Sequence, residues 1–330
     1  MVHQQFTRVF DLLDAYKTFK KEDLFCLKRN DEWKKYSVDE TLETIQTLAL
    51  GLLELKIKPG EKVAIISGNR PAWNFVDFAV QIIGGVTVPM YPTITIEDYA
   101  YIFNDAEVKY VFCENEELYL KVKEASKENA HIKGIYTFDP VADVDMWTAV
   151  KELGEGKDPA VLQPLMDAVQ PSDLLTLIYT SGTTGNPKGV MLSHDNLVFS
   201  ANAHIENNPI LLSEPMRVMS HLPMSHIGAL MNDVFVPLMC ITRGQQATLF
   251  FSNDSLTTTL IKVRPTMLFC VPRLWERIEI DCKKIEHNLN GFFHRNMKKL
   301  CSISHKNRQV GGSKFLANID ILARKYMRKH

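Results

Sequence analysis

Short apolar runs alternate with amphipathic helical stretches between residues 63 and 138, and this alternation constrains the fold more than any other feature of the sequence. The strand-like runs lie at residues 63–67, 86–90, 108–113 and 132–138. The helical patterns between them lie at residues 71–83, 97–105 and 116–129. Because parallel strands need a crossover connection, usually a helix, this order predicts a mostly parallel sheet covered by helices.

The alternation resumes after residues 139–171, a connecting segment with weak periodicity and several glycines and prolines. Further strands are predicted at residues 174–179, 190–193, 217–221, 247–251 and 266–271. The sequence therefore predicts an α/β fold with two doubly wound, mostly parallel sheet units. The predicted segments are a first unit with N-terminal helices over 1–170, a second unit over 171–277, and a basic helical tail over 278–330.

The charges nearly cancel, with 38 Lys and Arg against 39 Asp and Glu. This balance argues against a nucleic-acid binder over the whole chain. Residues 281–330 differ, because they carry 12 basic and 3 acidic residues. Such an amphipathic basic segment fits either a peripheral contact with an anionic membrane or a helix whose packing partner lies outside this chain, and the second interpretation is favoured.

The six cysteines are scattered, and none lies at a zinc-like spacing from another. This pattern predicts reduced thiols in a cytoplasmic protein and no metal site built from cysteine. No segment reaches the ~20 apolar residues that a membrane helix needs. We therefore expect a cytoplasmic protein, with membrane association limited to a peripheral contact of the tail.

The stretch Tyr179-Thr-Ser-Gly-Thr-Thr-Gly-Asn-Pro-Lys-Gly-Val190 carries the chemistry that the sequence reveals. Its glycines allow the backbone to approach an anion closely, and successive backbone N–H groups can form an anion-binding concavity. Its hydroxyls add donors, and its lysine adds a charge suited to phosphate. The candidate phosphate-binding residues are Thr180, Ser181, Gly182, Thr183, Thr184, Gly185, Lys188 and Gly189.

This glycine-rich stretch departs from the common nucleotide-binding loops. A Walker loop requires a second glycine where Pro187 stands, and Ser or Thr where Gly189 follows the lysine. Walker and dinucleotide-binding loops both open a helix, whereas residues 190–193 are strand-like. A surface hairpin without a ligand is the plainer interpretation, and the length and position of the stretch make it the less favoured one.

The segment Thr180-Ser-Gly-Thr-Thr-Gly-Asn-Pro-Lys-Gly189 resembles the signature of the adenylate-forming acyl-activating enzymes, which include acyl-CoA synthetases, luciferases and peptide-synthetase adenylation domains. Leu222-Pro-Met-Ser-His226 resembles the family's Pro-x-x-His segment. Residues 264–277 resemble long-chain fatty acyl-CoA synthetases in particular. Residues 68–73 and 84–92 agree with the same family, so the resemblance extends to about Arg277.

The resemblance implies an ATP-dependent long-chain fatty acid–CoA ligase with ATP, Mg²⁺ and coenzyme A. It implies that the fatty acid carboxylate attacks the α-phosphate while the loop grips the outer phosphates. Lys188 and Thr184 are then the candidate catalytic residues, and the other loop residues bind the nucleotide. His226 is a candidate for the substrate pocket, and its alternative role is that of a hydrogen-bonded structural histidine.

Motifs that the family carries further along its chain are missing after Trp275. They are a Tyr-Gly-x-Thr-Glu segment, a Thr-Gly-Asp segment and a C-terminal domain with a lysine. We therefore expect a large domain that is truncated before the C-terminal domain and is inactive by itself. The alternatives are a fatty acyl-AMP ligase of the same superfamily and a non-catalytic nucleotide- or acyl-binding module.

Overall fold

A computed structural model describes residues 6–30, 32–180 and 185–288. Four candidate loop residues, Ser181 to Thr184, therefore lie outside the described residues, as does the tail beyond residue 288. Among the described residues, no helix is both long and apolar enough to cross a membrane. The peripheral contact of the tail stays a prediction.

Within the described residues, ten strands and twelve α-helices alternate along the chain. The strands are β1 Phe25–Arg29, β2 Glu32–Tyr36, β3 Lys62–Ile66, β4 Val86–Pro89, β5 Val108–Cys113, β6 Gly134–Thr137, β7 Leu174–Thr180, β8 Lys188–Ser193, β9 Met216–Ser220 and β10 Ala247–Phe251. The helices are α1 Asp14–Thr18, α2 Val38–Glu54, α3 Pro71–Ile82, α4 Ile96–Asp105, α5 Glu116–Ala125, α6 Trp147–Gly154, α7 Leu162–Ala168, α8 His194–Asn207, α9 Ile227–Ala229, α10 Val236–Thr242, α11 Leu256–Val263 and α12 Pro272–Asn288. A π-helical segment, Leu230–Phe235, joins α9 to α10.

The larger sheet has six strands in the order β6-β5-β3-β4-β7-β8, and all neighbours are parallel except β7 and β8. Its central strands are buried on both faces. Val63 and Ile65 of β3 pack in one apolar cluster with α2 and α3, whereas Ala64 and Ile66 pack in another with α4 and α5. This two-sided burial explains the continuous apolar runs in the sequence, and it confirms the prediction of an α/β fold with mostly parallel sheets.

The smaller sheet has four strands in the order β2-β1-β10-β9. The sheet pairing does not follow the predicted segments 1–170 and 171–277. β7 and β8 complete the larger sheet, and β1, near the N-terminus, pairs in parallel with β10 through Phe25 and Leu249. Pairing between strands so far apart in sequence is decided by tertiary packing, which the local pattern does not encode.

Two local predictions need correction. The predicted strand at 266–271 is reduced to one isolated bridge between Met267 and Val218. The connecting segment 139–171 contains α6 and α7, which its weak periodicity did not indicate. Helix α6 packs closely against α2, a contact between segments far apart in the sequence.

Two glycines allow α2 and α6 to pack at very short range. A Cβ atom built on Gly51 would lie 1.8 Å from the Val150 carbonyl oxygen, and one on Gly154 would lie 2.0 Å from the Thr47 carbonyl oxygen. These neighbours are backbone atoms, which cannot rotate away as a side chain can. The contact therefore requires the absence of a side chain at both positions.

We expect Gly51→Ala to destabilise the protein by about 1–3 kcal/mol, because the helices must separate to admit the methyl group. In an uncrowded helix interior, replacing glycine with alanine stabilises the helix by up to about 1 kcal/mol. A loss of stability in Gly51→Ala would therefore indicate the close helix contact. Gln46→Ala, an exposed change in the same helix, should stay within about 0.5 kcal/mol. Urea unfolding of both variants measures the difference, and a stabilised Gly51→Ala protein would contradict the close packing.

His194 begins α8 and is buried against the N-terminal segment of the chain. Its Nδ1 accepts a hydrogen bond of 3.2 Å from the Val9 N–H, and its ring meets the Phe10 ring edge to face. Burial lowers the pKa of His194 from 6.5 to about 4. The imidazole is therefore neutral in the folded protein near neutral pH.

We expect stability to fall as the pH decreases from about 6.5 to about 4. In this window the unfolded chain binds a proton at residue 194 that the folded chain excludes. The contribution of His194 to the slope of the unfolding free energy against pH therefore approaches about 1.4 kcal/mol per pH unit. His194→Gln keeps an acceptor for the Val9 N–H and should remove this component. His131→Gln, at a half-buried position, is the control and should retain it. Equal slopes in all three proteins by denaturant unfolding would contradict the assignment.

Candidate functional site

The glycine-rich stretch connects the two strands of a β-hairpin at the carboxyl edge of the larger sheet. Thr180 ends β7, Lys188 begins β8, and the two residues pair directly across the antiparallel ladder. A strand follows this loop, as the sequence predicted. The hairpin is therefore distinct from the loop-to-helix arrangement of the Walker and dinucleotide-binding motifs.

Three candidate residues line one pocket with a volume of about 480 Å³. Thr180 and Gly185 approach it from the hairpin, and His226 approaches it from the segment that follows β9. Residues 180 and 226 are far apart in the sequence, so the fold alone brings them to one cavity. Lys188 and Gly189 are not among the residues that line the pocket.

The remaining walls of the pocket are mostly apolar, and sequence reasoning missed them. They comprise Pro89, Met90, Tyr91, Ile94, Asp98, Ile102, Ile178, Tyr179, Pro187 and Ile227. Several of these residues lie at or just after the carboxyl ends of β4 and β7, which are parallel neighbours and so end at the same edge. An apolar cavity with a few polar groups at one side is the usual form of a small-molecule site.

The structure describes two glycines of the hairpin, Gly185 and Gly189, and a different local feature favours glycine at each position. Gly185 has a φ of +96°, which L side chains rarely adopt, and a Cβ atom there would meet nothing within 4 Å. Its backbone conformation therefore requires glycine. A Cβ atom on Gly189 would lie 3.0 Å from the Tyr179 ring, so this glycine admits a close approach of the tyrosine across the ladder.

Tyr179 is held in place at both ends of its side chain. Its hydroxyl donates a 2.5 Å hydrogen bond to Asp105 at the end of α4, while its ring lies against Gly189. Burial and the neighbouring carboxylate raise the pKa of Tyr179 far above its ordinary value. The phenol thus stays protonated and anchors β7 to α4 beside the pocket.

Lys188 is exposed at the start of β8. Within the part of the chain that the structure describes, its ammonium has no ion pair and no hydrogen bond. Because directly opposed residues of a ladder project to the same side, the Thr180 hydroxyl and the Lys188 ammonium lie on one face of the hairpin. This face offers a neutral donor and a positive charge to an anion.

His226 caps the N-terminus of α9 with its own ring. Its Nδ1 accepts a 2.9 Å hydrogen bond from the Gly228 N–H. A nitrogen that accepts cannot carry the proton of a neutral imidazole, so Nε2 carries it. His226 therefore presents an N–H donor from an exposed ring at the edge of the pocket.

The described residues contain no cluster of three or more His, Cys, Asp or Glu side chains that could hold a metal ion. Asp98 is the one carboxylate among the residues that line the pocket. The site as described therefore combines an apolar cavity, backbone and hydroxyl donors, a lysine and a histidine. These groups suit a ligand with an anionic part and an apolar part.

Solved structures with a similar fold include VinN and a benzoate CoA ligase. VinN in complex with L-aspartate matches 82% of this chain and 69% of that chain, with a TM-score of 0.66 and 23% identity. A benzoate CoA ligase from Burkholderia xenovorans matches 84% of this chain and 52% of that chain, with a TM-score of 0.68 and 20% identity. At these identities the likeness concerns the fold.

Relatives at higher identity are long-chain-fatty-acid–CoA ligases. ACSBG1 of Rattus norvegicus is 31% identical over 307 residues, which cover 90% of this chain and 41% of the relative. FadD15 of Mycobacterium bovis is 31% identical over 248 residues, which cover 74% of this chain and 40% of the relative. The chain thus spans about two fifths of the length of these relatives.

The sequence profile described as AMP-binding enzyme matches residues 15–318, nearly the whole chain. The match includes the hairpin, the apolar pocket and the segment that bears His226. Together with the fold, it confirms the family that the glycine-rich stretch indicated. The chain belongs to the AMP-binding enzyme family.

Proposed function

We propose that this chain supplies the phosphate-binding hairpin and the acyl pocket of an ATP-dependent long-chain fatty acid–CoA ligase. The observation that carries the proposal is the pocket that Thr180, Gly185 and His226 share with a mostly apolar wall. A fatty acid and a nucleotide must meet where an anion site adjoins an apolar cavity. The names of the relatives at 31% identity support this choice of substrates.

The hairpin binds the outer phosphates of ATP in this proposal. Thr180 and Lys188 face one anion from opposite strands, and the backbone at Gly185 turns without a side chain. Ser181, Gly182, Thr183 and Thr184 have the same role in this proposal, which rests for them on the sequence pattern alone, and Thr184 is the second catalytic candidate in addition to Lys188. Gly189 serves by admitting Tyr179, which stiffens the hairpin.

The reaction needs two displacement steps. A carboxylate oxygen of the fatty acid bonds to the α-phosphorus as the bond to the bridging oxygen of pyrophosphate breaks, which gives acyl-AMP and pyrophosphate. The thiolate of coenzyme A then attacks the acyl carbon, and AMP leaves with the bonding electrons. In such transfers the protein contributes mainly positioning and charge stabilisation.

Two side chains act on the first step. The Lys188 ammonium stabilises the charge that develops on the departing pyrophosphate. The His226 Nε2–H donates to an oxygen of the carboxylate or of the acyl phosphate. Neither role requires proton transfer, since both groups donate hydrogen bonds in their resting states.

Mg²⁺ accompanies ATP as a substrate complex in this proposal. Among the described residues no group of metal-ligating side chains is assembled.

The test is an assay of the complete gene product that contains residues 1–330, with ATP, Mg²⁺, coenzyme A and acetate, octanoate or palmitate. Each buried methylene contributes about 0.8 kcal/mol, or roughly fourfold in affinity, so kcat/KM should rise steeply from acetate to palmitate. Pyrophosphate release and acyl-CoA formation should rise together. Acyl-AMP without thioester would identify a fatty acyl-AMP ligase, nucleotide binding without pyrophosphate release would identify a non-catalytic module, and either result overturns the proposal.

We expect Lys188→Ala to weaken ATP binding by roughly ten- to a hundredfold, because a charged hydrogen bond contributes about 1.5–3 kcal/mol. AMP lacks the outer phosphates, so its affinity should change little. Lys121→Ala is the matched control, because it removes the same charge from α5, at the opposite edge of the sheet. Calorimetric titration measures both ligands, and an equal loss for ATP and AMP would exclude this role for Lys188.

A further inference from the structure

Asn69 lies in the turn between β3 and α3 and reaches across to the segment that follows β9. Its Nδ2 donates hydrogen bonds of 2.8 Å to Ser220 Oγ and 2.6 Å to the Leu222 carbonyl oxygen. Its Oδ1 accepts a 3.1 Å hydrogen bond from the Met224 N–H. One amide side chain thus satisfies backbone groups on both sides of Pro223.

The segment that Asn69 grips leads directly to His226. The His226 N–H donates to the Pro223 carbonyl oxygen at 2.9 Å, which closes a tight turn. The His226 ring then accepts from the Gly228 N–H, as described above. Each hydrogen bond after Asn69 spans at most three residues, so a displacement of Leu222 or Met224 transfers to the imidazole.

A second contact fixes the other end of the same segment. Ser220 Oγ accepts from Asn69 and donates a 2.9 Å hydrogen bond to Asp233 Oδ2. Asp233 is 4% exposed and lies in the π-helical segment of the helix that His226 begins. The backbone from Ser220 to Asp233 therefore forms a loop whose two ends are tied together beside Asn69.

Asn69 can act as a fixed support because its own turn is rigid. The Glu114 carboxylate accepts from the Gly68 N–H at 2.8 Å and from the Arg70 guanidinium at 2.6 Å. Arg70 also pairs with Asp139 at 2.9 Å. The residues on both sides of Asn69 are thus anchored to the larger sheet, while its side chain binds the segment that follows the smaller sheet.

We propose that Asn69 is a positioning residue that sets the His226 imidazole at the mouth of the pocket. The amide group donates to one backbone group of the turn and accepts from another. It thereby couples the position of His226, which follows the smaller sheet, to the larger sheet, which bears the hairpin. This inference deepens the proposed function, and it rests on that proposal for the role of His226 in turnover. Its structural part concerns the placement of the ring alone.

Asn69→Asp is the decisive variant because it keeps the size of the side chain and the acceptor for the Met224 N–H. It replaces the donor to the Leu222 carbonyl with a carboxylate oxygen, which repels that carbonyl. We expect the ¹⁵N resonances of His226 to show loss of the accepting Nδ1 and exchange between the two tautomers. Asn207→Asp, at an exposed position of α8, introduces the same charge and should leave the His226 resonances unchanged.

Two more variants separate positioning from a general loss of packing. Ser220→Ala removes the hydrogen bonds to Asn69 and to Asp233 but leaves both bonds that Asn69 makes to the turn, so the His226 resonances should persist. Pro223→Gly loosens the turn while Asn69 remains, and these resonances should again persist. A His226 signal that is lost in Pro223→Gly, or kept in a folded Asn69→Asp protein, overturns the inference. Thermal unfolding identifies any variant that fails to fold, in which case Pro223→Gly decides.

Turnover by the complete gene product that contains this chain provides an independent test of the positioning role. Because a small misplacement of a catalytic group can cost up to about a hundredfold in rate, Asn69→Asp should lower kcat substantially and raise KM for ATP little. In a His226→Ala background the same change should have almost no further effect. A full additional loss there would overturn the positioning role. A His226→Ala protein with normal turnover would refute the proposed role of the histidine, and the resonance experiment would still test its placement.

Discussion

The parallel pairing of β7 beside β4 is the constraint on which the site depends. Thr87 and Thr176 are direct partners in the ladder, and the Thr176 hydroxyl also donates a buried 3.0 Å hydrogen bond to the Thr87 carbonyl oxygen. Thr87 and Thr176 are 89 positions apart in the sequence. The contacts formed by this pairing must therefore offset the entropy lost when so long a loop is closed. Once it forms, both strands end at one edge, and Tyr179 and Thr180 lie beside Met90 and Tyr91 in the same pocket.

The hairpin depends on this pairing in a second way. β8 pairs with β7 and lies at the edge of the sheet, so its position derives entirely from β7. The Tyr179–Asp105 hydrogen bond and the close approach of Gly189 tie the hairpin to α4. This anchoring suits the proposed phosphate-binding role, because donors that became ordered only on binding would cost affinity.

Two carboxyl groups are buried and hydrogen-bonded, and one of them, Asp233, belongs to the network that joins the two sheets beside His226. Burial raises the pKa of Asp233 to about 8 and that of Asp77 in α3 to about 6, although hydrogen bonds to each carboxyl partly offset the effect. Such groups are retained at a cost in stability, since an apolar side chain would be cheaper to bury. Asp233 joins Ser220 and Asn69 in one chain of hydrogen bonds, which gives the region around His226 a specific geometry that apolar packing alone does not define.

The sequence by itself determined the class of fold, the hairpin and the family. The alternation of apolar runs and helices indicates parallel sheets, because strands buried on both faces must be continuously apolar. The hairpin was predictable because a strand-like run follows the glycine-rich stretch directly. The tertiary structure decided the rest. β1 joins β10, β7 joins β4, and Asn69 reaches the turn before His226, because these contacts connect residues that no local pattern relates. The apolar wall of the pocket was likewise invisible, since Ile102 and Ile178 look like ordinary core residues until the fold opens a cavity between them.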